Sequence, residues 1–214
     1  MDENYNLVNV HQTKESELDI NNEQLVDAFL QMKLQTPNRK KKKSNGEVFT
    51  PQKLINEMLD KLPKEVWTNS ELKWFNPAVG TGQFMISVYR RLIKGLQNDI
   101  PDDAKRKDHI IKNMLFMSEL DEQNYTECEK IFGNDCNIFK GNTLESSSDE
   151  FKFAQQFGIN KFDVIVGNPP YNKGGVKSSS GRLLGEENET VWHKFVALSL
   201  ELLHPNGYLV FIHP

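Results

Sequence analysis

The chain has 214 residues, of which 37% are hydrophobic, enough for one globular domain with a substantial core and a short arm. A formal net charge of −4 and a pI near 5.8 argue against nucleic-acid binding spread over the whole surface, because phosphate contacts need clustered Lys and Arg. No apolar run approaches the ~20 residues that cross a bilayer, the start Met1-Asp2-Glu3-Asn4 is unlike a signal peptide, and Cys128 and Cys136 form neither a disulfide framework nor a zinc-ligand pair. A cytoplasmic protein with reduced thiols, no membrane contact and no metal is expected.

Residues 1 to about 20 are polar and lack sustained periodicity, which predicts a loose arm. Asn21-Asn22-Glu23-Gln24 offers a helix start, and Leu25, Val26, Phe29, Leu30 and Met32 place an apolar stripe on one face through about Leu34. This helix is expected to pack on the domain that follows. From Thr36 to Asn45 a proline and the run Arg39-Lys40-Lys41-Lys42-Lys43 read as a linker; the basic run is a solvated segment, a nucleic-acid contact or a localisation signal.

Gly46-Glu47-Val48-Phe49-Thr50-Pro51 then precedes an amphipathic stretch carrying Leu54, Met58, Leu59 and Leu62. Lys73-Trp74-Phe75 leads into Asn76-Pro77-Ala78-Val79-Gly80-Thr81-Gly82-Gln83-Phe84 and the apolar-periodic Met85 to Leu96, a strand, glycine loop and helix. Gly80 and Gly82 permit tight backbone geometry and close ligand approach, although the spacing departs from G-x-G-x-x-G and lacks a Walker lysine. A second strand, Asn113 to Ser118, ends at Glu119-Leu120-Asp121 before a helix from Asn124 to Phe132. An acid in that place accepts the hydroxyls of a bound ribose; for Asp121 the alternative is a carboxylate at the helix N-terminus. Asn137 to Lys140 forms a third strand ahead of Gly141-Asn142-Thr143-Leu144.

The apolar run Phe162-Asp163-Val164-Ile165-Val166-Gly167 ends in Asn168-Pro169-Pro170-Tyr171, the most informative feature of the chain. It reads as a buried parallel strand opening into a crevice, where open α/β sheets bind their ligands. Pro169 and Pro170 restrict the backbone, so the Asn168 side chain and the Pro169 carbonyl can be held as two acceptors facing one amine, with Tyr171 as an aromatic face. The plain alternative is a strand-terminating turn. Asn172 to Arg182, rich in Gly and Ser with Lys173, Lys177 and Arg182, is either a loop closing over phosphate or an ordinary surface loop. Glu189 to Leu203 reads as a helix with Trp192, Phe195, Val196, Leu198, Leu200 and Leu203 towards the core and His193 and His204 as surface or packing residues; Pro205 to Pro214 is a turn and a buried strand.

Taken in order, the Gly46-to-Pro51 segment, the glycine loop and Asn168-Pro169-Pro170-Tyr171 resemble the gamma-class N6-adenine DNA methyltransferases over roughly residues 46 to 214. The resemblance implies a Rossmann-like S-adenosylmethionine-dependent methyltransferase fold, with a mostly parallel sheet and flanking helices, preceded by a helical N-terminal arm over residues 1–45. It assigns Thr50, Gly80, Thr81 and Gly82 to the methionine end of S-adenosylmethionine, Glu119 to the ribose with Asp121 as its neighbour, and Asn142 to the adenine amine where relatives commonly carry Asp; Asn76 faces the cofactor. Asn168, Pro169, Pro170 and Tyr171 become the catalytic segment, acting on an adenine flipped from DNA and stacked on Tyr171. The last strand would be the fifth of seven, so the catalytic domain is expected to be incomplete at its C-terminal end, with a separate target-recognition or specificity polypeptide as a partner in a restriction-modification system. The same tetrapeptide occurs in release-factor glutamine and RNA adenine methyltransferases, and a cofactor-binding remnant or half of a split methyltransferase is the non-enzymatic alternative. The Gly46-to-Pro51 segment favours DNA.

Overall fold

The computed structural model describes residues 18–35, 49–145, 156–159, 161–172, 176–177, 183–184 and 190–214. The first seventeen residues of the arm, the basic run, Gly46 to Val48, and Lys173 and Arg182 lie outside the described residues. Short β-branched and aromatic runs form the strands β1 (Trp74–Asn76), β2 (Leu115–Glu119), β3 (Asn137–Lys140), β4 (Phe162–Gly167), the two-residue pair β5 (Val176–Lys177) and β6 (Leu183–Leu184), and β7 (Leu203–Phe211). Five of them make one sheet in the order β3-β2-β1-β4-β7, and every pairing in it is parallel. Parallel neighbours cannot be joined by tight turns and need crossovers. The helices are α1 (Glu23–Gln35), α2 (Gln52–Leu59), α3 (Gln83–Gly95), α4 (Asp103–His109), α5 (Glu122–Phe132) and α6 (Trp192–Leu202). The expected parallel α/β architecture is present.

Because side chains alternate along a strand, the sheet has two cores. Trp74, Leu115, Met117, Val164 and Val166 pack with α1, α2, α3 and α5, whereas Phe75, Phe116 and Ile165 pack with Leu198 and Leu202 of α6. Phe162 should share a face with Val164, yet it joins Phe75 and Phe116 on the other. Asp163 N and Val164 N both donate to Lys73 O, at 2.9 and 3.2 Å, and a bulge of this kind, two residues of β4 against one, turns the following residues over. Phe162 consequently stacks on Phe75 with ring centroids 4.4 Å apart.

The N-terminal helix packs as predicted. Asn22 caps it, accepting from Leu25 N at 3.1 Å, and Val26 and Leu30 are buried, contributing roughly 3–6 kcal/mol of apolar burial together. Tyr89 Oη donates to Asn21 Oδ1 at 2.9 Å, Arg90 pairs with Asp27 at 2.9 Å and Lys33 pairs with Glu127, so α1 is tied to both α3 and α5.

Several boundaries differ from the sequence reading. β2 starts two residues later, since Ile110–Met114 continues α4 as a π-helical turn. Ile55 rather than Leu54 faces the core; Leu54 is 38% exposed. Leu200, expected inside, is 59% exposed, because α6 covers the sheet with Leu198 and Leu202 and turns the position between them outward. β7 is half-buried rather than buried, with Tyr208 41% exposed; like β3 it is an edge strand of the sheet formed by the described residues, and Asn206 at φ 68° marks the turn within it.

Candidate active site

The strand order reverses at β1: β2 and β3 lie on one side of it, β4 and β7 on the other. Loops leaving β1 and β4 therefore part in opposite directions, and the space between their carboxyl ends is where an open α/β sheet takes a ligand. A crevice of about 420 Å³ lies there, lined by residues following β1 (Asn76 to Thr81), β2 (Glu119 to Asp121), β3 (Gly141 to Glu145) and β4 (Asn168, Pro170). Four adjacent strand ends span about 14 Å at the usual strand spacing, an elongated site rather than a round one.

The loop after β1 is shaped by its glycines. Gly80 and Gly82 sit at φ 58° and 86°, the left-handed region that glycine enters freely. Gly82 begins α3, and a β-carbon there would stand 3.2 Å from the Phe132 ring; it faces the core and is not among the crevice-lining residues. Gly80 and Thr81 do line it.

Glu119 closes β2 and is 8% exposed. Its carboxylate accepts from Gly80 N at 2.7 Å and from Leu120 N and Asp121 N at 2.9 and 2.8 Å, so three main-chain amides fix it against the loop after β1. Asp121 accepts from Gln123 N and Asn124 N, both at 3.1 Å, and caps α5 while also lining the crevice. Asn142 turns the third loop, donating to Glu145 Oε1 at 2.8 Å and accepting from Leu144 N at 3.1 Å.

At the β4 end, Asn168 Nδ2 donates to Thr50 Oγ1 at 3.0 Å, joining residues far apart in sequence. Asn168 and Pro170 line the crevice with Thr50; Pro169 and Tyr171 do not. Pro169 is buried, and Tyr171 is half-buried beside α6, where burial pushes its hydroxyl up from the ordinary tyrosine value. The Tyr171 carbonyl accepts from Val191 N at 2.8 Å and Trp192 N at 3.3 Å, which occupies the otherwise uncapped N-terminus of α6. Asn172 bridges Thr190.

Two positions escaped the sequence reading. Thr143 is buried, with Oγ1 2.5 Å from Pro77 O and 2.7 Å from Ser118 Oγ, so one hydroxyl ties the loops after β1 and β3 to strand β2. Gly167 lies so close to Asn76 that a β-carbon would come 2.8 Å from its Oδ1. Both adjoin residues the sequence had flagged, but only their three-dimensional neighbours disclose the role. Phe195, read as core, also reaches the crevice wall, with Val191 and Lys194. Cys128 and Cys136 are free; burial pushes the Cys128 thiol well up and that of Cys136 to about 12. Among the described residues, no three His, Cys, Asp or Glu side chains gather as metal ligands would, and no helix is long and apolar enough to cross a membrane.

The model of the Eco57I restriction-modification methylase family matches residues 11–214. The chain belongs to that family. A Mycoplasma pneumoniae protein described as an uncharacterized adenine-specific methylase is 30% identical over 238 aligned residues, covering 79% of this chain and 55% of that one. The chain thus spans about half the length of this relative. Among solved structures, the methyltransferase subunit of a type I restriction-modification system from Streptococcus thermophilus superposes with a TM-score of 0.56 at 16% identity, covering 87% of this chain and 38% of that one. A putative class I S-adenosylmethionine-dependent methyltransferase from Listeria monocytogenes gives 0.52 at 13% identity, over 97% and 56%. At these identities the structural likeness shows the fold, which is that of S-adenosylmethionine-dependent methyltransferases.

Proposed function

We propose that this chain carries the catalytic domain of an adenine-specific DNA methyltransferase, transferring the methyl group of S-adenosylmethionine to the N6 amine of adenine in a restriction-modification system. The observation that carries the reading is the meeting of Asn168 and Pro170, Gly80 and Thr81 of the glycine loop, and Glu119 at one crevice, with Asn168 bonded to Thr50. Residues 46–214 form the methyltransferase domain in this reading, and residues 1–45 an arm held by α1. DNA is the substrate, a separate specificity polypeptide the partner and the cytoplasm the compartment.

The residues fit a nucleoside joined to an amino acid. Glu119, an acceptor fixed at the end of β2, suits ribose hydroxyls; Leu120 adds exposed apolar surface beside it, and Asn142 offers amide chemistry for an adenine edge. Thr50, Gly80 and Thr81 at the β1 and β4 end take the methionine portion, Asn76 backs them, and Gly82 holds the loop's turn. When bound, S-adenosylmethionine supplies an electrophilic sulfonium methyl. The chain's own contribution is on the amine. The nitrogen lone pair of adenine is delocalised into the ring, and acceptance of both amine hydrogens by Asn168 Oδ1 and the Pro169 carbonyl makes the nitrogen more tetrahedral and turns its lone pair towards the methyl group. Positioning and directed hydrogen bonds are the catalytic terms, and water takes the proton after transfer. Tyr171, which follows Pro170 beside α6, is the aromatic face assigned to stacking on the flipped base.

The test is transfer of labelled methyl from S-adenosylmethionine to unmethylated DNA, RNA and a release factor in parallel. Label in DNA as N6-methyladenine is expected. Label confined to RNA or protein, or cofactor binding with no transfer to any of them, refutes this function for the chain.

A further inference from the structure

The Thr50 hydroxyl accepts the Asn168 amide N–H at 3.0 Å, and Thr50 is itself buried at 4% exposure on the wall that the methionine portion of a cofactor would share. An asparagine amide presents an acceptor at one end and donors at the other, and the two ends are related by a half-turn about one bond. Only the acceptor end can take an amine hydrogen; the donor end would repel it. A hydroxyl can accept or donate; in the arrangement present Thr50 Oγ1 accepts from Nδ2, and this bond to a partner fixed by burial holds the amide with Oδ1 turned the other way. The chain has placed such a partner 118 positions away in sequence, immediately ahead of α2, whose buried Ile55 and Leu59 anchor it in the core.

We propose that Thr50 is a positioning residue for Asn168, holding the amide nitrogen so that Oδ1 is the end presented to the target amine. Thr50 then serves both halves of the site: it borders the methionine end of the crevice and sets the orientation of the group that handles the acceptor. The inference rests on Asn168-Pro169-Pro170-Tyr171 being the amine-binding segment. A Val side chain at position 50 keeps the shape and removes the acceptor. A Ser side chain keeps the acceptor and removes a methyl group.

The experiment compares Thr50→Val, Thr50→Ser and Asn168→Ala with the unmodified chain. It measures turnover on DNA at saturating cofactor, the cofactor dissociation constant by calorimetry, and the Asn168 side-chain amide resonances, assigned by their loss in Asn168→Ala. Thr50→Val is expected to lower kcat by at least about tenfold, the worth of one hydrogen bond of ordinary strength, and to move the Asn168 amide resonances; Thr50→Ser recovers most of both. Amide resonances that stay in place in Thr50→Val overturn the inference whatever the turnover, and so does an equal loss of kcat in the Val and Ser variants. If Asn168→Ala abolishes transfer while Thr50→Val turns over normally, this inference alone fails. If Asn168→Ala itself transfers normally, the reading of the tetrapeptide fails.

Discussion

Replacing Gly167 by Ala tests whether the end of β4 and the loop after β1 form one mechanical unit. The added β-carbon would lie 2.8 Å from Asn76 Oδ1, 3.3 Å from its Cγ and 3.4 Å from Nδ2, too close to be accommodated without movement. Asn76 is 1% exposed, and its Oδ1 accepts from Ala78 N at 3.1 Å, so rotating the amide away breaks that bond and shifting the residue presses β1 on its neighbours. Insertion of one carbon into a packed site costs about 1–3 kcal/mol. At about 2–4 °C per kcal/mol for a chain of this size, the thermal midpoint should fall by about 2–12 °C. Differential scanning calorimetry reads that shift, and titration calorimetry should show weaker cofactor binding, since Asn76 to Thr81 line the crevice. Gly133→Ala is the comparison, with a positive φ of 91° but open space around its β-carbon; it carries a backbone cost alone and should leave cofactor affinity intact. A Gly167→Ala chain with unchanged midpoint and cofactor affinity refutes the reasoning.

Asn168→Ala should abolish methyl transfer with cofactor affinity near that of the unmodified chain, whereas Tyr171→Ala should weaken capture of the target base by about 1–3 kcal/mol, read as DNA affinity. Thr143→Val should lower the thermal midpoint by about 2–12 °C, because it removes the hydroxyl shared by Pro77 O and Ser118 Oγ and strands buried polar groups, at about 1–3 kcal/mol; a shift below 1 °C, in calorimetry, would count against the tie between the two loops and β2. The Cys136 thiol is pushed from 9.0 to about 12 by burial, so the unfolded chain releases this proton first. Its stabilising contribution is complete below about pH 9 and is lost as pH rises towards 12; denaturant titrations across that window should show a shallower alkaline decline in Cys136→Ser.

The elements whose signal is local were readable from the sequence. β3 and β4 fall on the expected residues, and α1 starts at the Asn22 cap, because alternation, apolar runs and capping chemistry act within a few positions. What the sequence could not convey depends on which surface covers which. Leu200 has the spacing of a core residue, but a helix on an open sheet buries one stripe only, and the sequence does not say where that stripe is centred. Phe162 needed the bulge to be seen, and Ile110–Met114 needed the π-turn. In the site, the tetrapeptide, the glycine loop and Glu119 announced themselves, since each lies beside a strand end. Asp121 turned out to serve as the helix cap that the sequence offered as one alternative. Thr143 and Gly167 stayed hidden: a hydroxyl shared among two loops and a strand and a missing β-carbon facing an amide are properties of segments brought together, not of any one.

The carbonyl of Tyr171 seated on the first amides of α6, together with the Asn172–Thr190 bridge, has a consequence for how such a chain can diversify. Asn172 and Thr190, which flank residues 173–189 in sequence, are fastened to each other beside the tetrapeptide. Closure of a longer excursion costs little, about 0.6 kcal/mol for each doubling of length. Sequence inserted between Asn172 and Thr190 would therefore leave the tetrapeptide with the same supports on either side.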